Sequence, residues 1–97
     1  MNIKPGDLVI ATSGREKGKC FVVLSVENQF LYLCDGKNRK VSTPKKKKIK
    51  HTEYAGSTNS DVCEKLQNGI TDKAIRKTLS QFKGNLTAES DIITGRF

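Results

Sequence analysis

Between residues 4 and 52 the apolar positions come in short runs with a two-residue period, separated by polar or glycine-bearing breaks. That is the signature of β-strands. Pro5-Gly6 reads as a turn, and the run 7–11 (Asp-Leu-Val-Ile-Ala) puts Leu8 and Ile10 on one side and Val9 on the other. A polar loop with Gly14 and Gly18 leads to a β-branched run over 19–26, in which Val22, Leu24 and Val26 alternate onto one face. Glu27-Asn28-Gln29 reads as a turn. The run 30–34 (Phe-Leu-Tyr-Leu-Cys) follows, with Leu31 and Leu33 as its inward pair. Asp35-Gly36 is a hairpin signal, leading to a weaker strand over 39–42 and a last short one near 49–51. Five short strands in about fifty residues predict a mainly β fold built as a small barrel. Its core is thin, so its expected stability is on the order of 5 kcal/mol or less.

The period then changes. Residues 54–59 (Tyr-Ala-Gly-Ser-Thr-Asn) have the composition of a linker. Ser60 opens a helix to about 67, with Asp61 in its first turn and Val62 and Leu66 on one face; Asn68-Gly69 stops it. Thr71 caps a second helix over 72–83, with Ile75, Leu79 and Phe82 in a stripe and Gly84 at its C-terminal cap. Neither helix is long enough to persist alone in water, so they pack on the barrel, on a partner or on each other. The expected organisation is a barrel over 1–53 with a basic segment at 37–51, a linker at 54–59, a helical extension at 60–84 and a mobile tail at 85–97.

Charge changes the picture more than composition does. The 97 residues carry 18 Lys+Arg against 10 Asp+Glu, a formal net charge of +8. Between 37 and 51 stand eight cations (Lys37, Arg39, Lys40, Lys45, Lys46, Lys47, Lys48 and Lys50) and no acid, while the remainder holds ten cations and ten acids. The whole excess therefore belongs to one segment. Adjacent cations displace condensed counterions together, which is what binding a phosphate polymer requires; solubility alone usually intersperses both signs.

Several classes are excluded or disfavoured. Apolar runs such as Phe21-Val22-Val23-Leu24 are far short of a bilayer span. The N-terminus lacks the apolar stretch of a secretory signal. Three widely spaced cysteines (Cys20, Cys34, Cys63) suit a reducing compartment, so a cytoplasmic location is expected. One histidine and no Cys-x-x-Cys leave no pattern for structural zinc. Neither a nucleophile–base pair nor a carboxylate dyad is visible, so no enzyme and no cofactor are expected.

The loop Gly14-Arg15-Glu16-Lys17-Gly18-Lys19 sets three cations around a glycine-bearing turn where a phosphodiester can approach the backbone; an ordinary hairpin loop with surface lysines has the same spacing. It is not a nucleotide-hydrolase phosphate loop. The spacing is one residue short, and Cys20 stands where a magnesium-binding hydroxyl is needed. The run Pro44-Lys45-Lys46-Lys47-Lys48-Ile49-Lys50 suits contact along an RNA backbone without much sequence discrimination, and it also reads as a short nuclear import signal. Tyr32, outward if Leu31 and Leu33 point in, is a candidate for stacking on an unpaired base. Tyr54 is a second such aromatic, while Phe21 and Phe30 read as barrel core.

The residues Gly6-Asp7-Leu8-Val9-Ile10-Ala11, then Ser13-Gly14-Arg15-Glu16-Lys17-Gly18-Lys19, then Val22-Val23-Leu24-Ser25-Val26 resemble a KOW element. The basic run after the barrel and the segment from Leu66 to Lys77 are similar to small KOW proteins related to a large-subunit ribosomal protein of eukaryotes and archaea. One position departs from the commonest pattern: Phe21 stands where a second glycine is usual. The resemblance implies an SH3-like barrel that binds RNA, ribosomal RNA above all. The contact set expected from the residues and the resemblance together is Arg15, Lys17, Gly18, Lys19, Tyr32, Lys37, Arg39, Lys40, Lys45, Lys46, Lys47, Lys48 and Lys50. Two other classes stay open. One is an adaptor that meets a protein through Ile75, Leu79 and Phe82. The other is a transcription-associated module on duplex DNA.

Overall fold

A computed structural model of the chain describes residues 3–58 and 60–82. Strands β1 (Asp7–Ala11), β2 (Cys20–Glu27), β3 (Phe30–Cys34), β4 (Lys45–Lys48) and β5 (Thr52–Ser57) form one antiparallel sheet in the order β4-β3-β2-β1-β5. A 3₁₀ turn, Ile49–His51, joins the two terminal strands. Helix α1 (Ser60–Asn68) and a second helix over 72–82, here α2, follow. The first three strands fall where the period placed them. Among the described residues no helix is long and apolar enough to cross a membrane.

Both sides of the sheet are covered. Val9, Ala11, Phe21, Val23, Leu31 and Leu33 form an inner cluster, with Ile3 and Ile49 against it. Leu8, Cys20, Val22 and Cys34 point to the other side and pack under Ile70, Ile75 and Leu79. The strands thus read as near-continuous apolar runs because each side has a cover. Phe21, at the position of the departed glycine, is fully buried in the inner cluster. Packing on the sheet, one of the destinations expected for the helices, is observed. Val62, Leu66 and Phe82 also pack against the helix-side cluster. The Ile75–Leu79–Phe82 stripe, which the adaptor alternative offers to a protein partner, packs with the chain's own sheet, and Ile75 is wholly buried. The Thr71 cap forms as predicted: its Oγ1 accepts from the Ala74 N–H at 3.2 Å. Helix α1 does begin at Ser60, with Asp61 in its first turn; the expected Gly84 cap and the tail at 85–97 lie outside the described residues.

Four expectations fail, each for a local reason. The alternation Val22–Leu24–Val26 breaks at a bulge between Val23 and Ser25: Val22 stands opposite Cys34, but Val26 stands opposite Leu31 and is exposed. One extra residue in a strand reverses the phase of everything after it. Residues 39–42 are not a strand. Asp35 Oδ1 accepts from the backbone N–H groups of Lys37 (2.8 Å) and Arg39 (2.9 Å), and the Val41 N–H donates to Asp72 Oδ1 on α2 at 2.7 Å. Those side chains take donors that a ladder would need. The lysine run supplies the missing strand, and the strand expected near 49–51 is the 3₁₀ turn. The supposed linker is β5, pairing along β1 from Asp7–Ser57 to Ala11–Thr52. Tyr54-Ala55-Gly56-Ser57 has weak period-two patterning, so its strand character comes from the neighbour and not from its own composition.

Candidate nucleic-acid interface

The lysine run becomes a strand because β3 offers it an unpaired edge. Leu33, Tyr32, Leu31 and Phe30 stand opposite Lys45, Lys46, Lys47 and Lys48 respectively. Residues directly opposite share a face, so the run divides by parity. Lys45 and Lys47 lie with Leu33 and Leu31 and are half-buried; Lys46 and Lys48 lie with Tyr32 and Phe30 and are exposed.

On that second face Lys46 Nζ sits 4.5 Å from the centre of the Phe30 ring and 6.0 Å from that of Tyr32. The ammonium is held by the ring quadrupoles, and the aliphatic stem shields the rings. The Tyr32 hydroxyl donates to Glu27 Oε1 at 3.2 Å. Tyr32 is outward as expected, but its ring lies beneath Lys46 and is not a bare platform. Phe30, expected in the core, is half-buried on this outer face. Its two-residue spacing from Tyr32 carries the signal for this placement, which the core reading of Phe30 overrode.

Three contacts tie the loop at 12–19 to the rest of the basic surface. Lys47 Nζ donates to the Ser13 carbonyl at 3.0 Å, which joins the loop to β4. Arg39 Nε donates to Glu16 Oε2 at 3.0 Å, which joins it to the 35–44 loop. The Thr12 N–H donates to the His51 carbonyl at 2.9 Å, which brings in the 3₁₀ turn bearing Lys50. Inside the loop, Gly14 and Gly18 adopt positive φ (82° and 89°), a region open to glycine without strain. Gly18 donates to the Ala11 carbonyl.

Tyr32 apart, the predicted residues divide into two groups. Arg15, Lys17, Gly18, Lys19, Lys37, Lys40, Lys46, Lys48 and Lys50 are exposed on neighbouring elements. Arg39, Lys45 and Lys47 are partly buried, and Arg39 and Lys47 hold the loops together through Glu16 and Ser13. Acids near this surface are engaged in structure. Glu16 is buried against Arg39, Asp35 accepts two backbone N–H groups, and Asp72 accepts a third. Among the described residues the one ion pair is Arg39–Glu16, so the fields of the exposed ammonium groups add.

Cys34, beneath α2, is set apart from this chemistry. Burial, then the carboxylates of Asp72 and Asp35, push its thiol up to about 12, so it stays a neutral core group. No protein-family model matches the chain, and no curated protein matches it. The likeness to KOW elements rests on the residues quoted above.

Proposed function

We propose that the protein is a non-enzymatic RNA-binding module with an SH3-like, KOW-type barrel, acting on ribosomal or otherwise structured RNA. The observation that carries this is the linkage of the basic elements. The 12–19 loop, the 35–44 loop, β4 and the 3₁₀ turn are fastened to one another by Lys47–Ser13, Arg39–Glu16 and Thr12–His51. A row of cations with fixed spacing loses less side-chain and loop freedom on meeting a phosphate backbone than separate mobile loops would. The strand order β4-β3-β2-β1-β5, with the terminal strands joined through a single 3₁₀ turn, supports the barrel reading. Burial of Ile75 and Leu79 under the sheet favours this reading over a protein adaptor that uses the same stripe.

Filter binding of the full chain to a ribosomal RNA fragment across a salt series tests the proposal. Log K is expected to fall with log salt by about 0.7 to 0.9 per phosphate contact. Replacing Lys46 and Lys48 together by Gln should lower that slope by about 1.5. An unchanged slope removes β4 from the interface, and absence of binding in dilute buffer overturns the proposal. Competition by duplex DNA of equal length separates RNA from a transcription-type ligand.

A further inference from the structure

Helix α2 does more than cover the sheet. Between it and the 35–44 loop lies a groove of about 410 Å³, within the range of sites that take small ligands. Its lining includes three exposed cations from three separate elements: Lys19 from the first loop, Lys37 from the second and Arg76 from α2. Two buried residues, Cys20 and Leu79, lie among them and give the groove an apolar floor. Asp35 is the acid of the lining, and its Oδ1 is already taken by the Lys37 and Arg39 N–H groups.

Arg76 is held in place by the loop itself. Its Nη1 donates to the Gly36 carbonyl at 2.6 Å. Gly36, at φ +80°, permits the approach: a Cβ there would stand 2.5 Å from the Asp72 carbonyl oxygen and 2.7 Å from Arg76 Cγ. A guanidinium has five N–H donors in a rigid plane. One bond to Gly36 leaves others able to meet a phosphate in a fixed orientation. Arg76 had no local signal in the sequence, since it sits mid-helix among other surface charges; only the packing of α2 brings it beside Lys19 and Lys37.

We infer that this groove takes one unpaired nucleotide of the bound RNA, its phosphate held by Lys19, Lys37 and Arg76 and its base lying over Leu79. The inference rests on the RNA-binding reading and extends the interface from the sheet onto the helical extension. A cationic rim alone would suit any phosphate. The apolar floor adds a surface for a base or sugar, and duplex stacking would have to be broken to fill it.

The test uses the full chain and a short single-stranded RNA. In an amide NMR titration, the Leu79 and Ser80 resonances should shift and saturate together with those of Lys46 and Lys48. In salt titrations Arg76→Gln should lower the slope by about 0.7, and Arg76→Lys should keep it, because lysine retains the charge while losing the fork to Gly36. A merely structural Arg76 would weaken both variants alike and leave both slopes unchanged, which overturns the inference. So does RNA binding that shifts β4 and leaves α2 unmoved; in that case the proposed function stands. Shifts at Leu79 and Ser80 with adenosine monophosphate but not with the RNA assign the groove to a free nucleotide and overturn the RNA occupant. Failure of the RNA to bind at all, at low salt, removes both readings.

Discussion

Strand β3 runs through two regions of the same sheet face. At its C-terminal end Cys34 lies beside Val22 and Leu8, closed over by Ile70, Ile75 and Leu79. At its N-terminal end Phe30 and Tyr32 have the same parity but are not part of that cluster; among the described residues it is Lys46 that lies across the rings. The first region is sealed by apolar side chains of the chain itself. The second is covered by a flexible stem that ends in a charge. A helix cover gains its stability by removing apolar area from water, roughly 25 cal/mol per Å², and has little reason to open. A lysine cover contributes little and can swing aside. The contrast separates the part of the face that holds the fold from the part proposed to meet RNA.

The comparison can be broken most severely from the helix side. Ile75→Ala should cost about 3 kcal/mol in denaturant unfolding, because the residue is wholly buried between α2 and the sheet. A loss below about 1 kcal/mol would mean that the helix cover is not part of the cooperative fold. Thr71→Ala should cost about 1 kcal/mol by the same measurement, through loss of the cap on the Ala74 N–H. The smallest effect belongs to the open region. Lys46→Gln should change stability by no more than about 1 kcal/mol, although the residue touches two aromatic rings. A larger loss would place the lysine cover on the same footing as the helical one.

The sequence made the two regions unequally legible. Leu31 and Leu33 declare an inward pair by period alone, and both are fully buried. Thr71 declares a cap by residue type and position, and the bond is there. Val26 was misread because an extra residue at the bulge reverses parity, and nothing in a β-branched run marks where such a residue will fall. The lysine run gives no strand signal, because its strand character comes from the open edge of β3 and not from lysine, which has low β-propensity. Tyr54-Ala55-Gly56-Ser57 was misread as a linker for the same reason, with β1 supplying the template. At the candidate interface the charge concentration was fully visible. The sorting of its members was not, since it depends on contacts between residues 23 and 34 positions apart: Arg39 with Glu16, and Lys47 with Ser13.

The position of β4 at the end of the sheet has one more consequence. A terminal strand leaves a line of backbone donors and acceptors on which a second molecule of the same chain can build, the usual route to fibrous aggregates. Here every residue of that strand is lysine, so two such rims brought side by side would set eight like charges against each other. The cations proposed to attract a polyanion thus also guard the molecule against polymerising with itself.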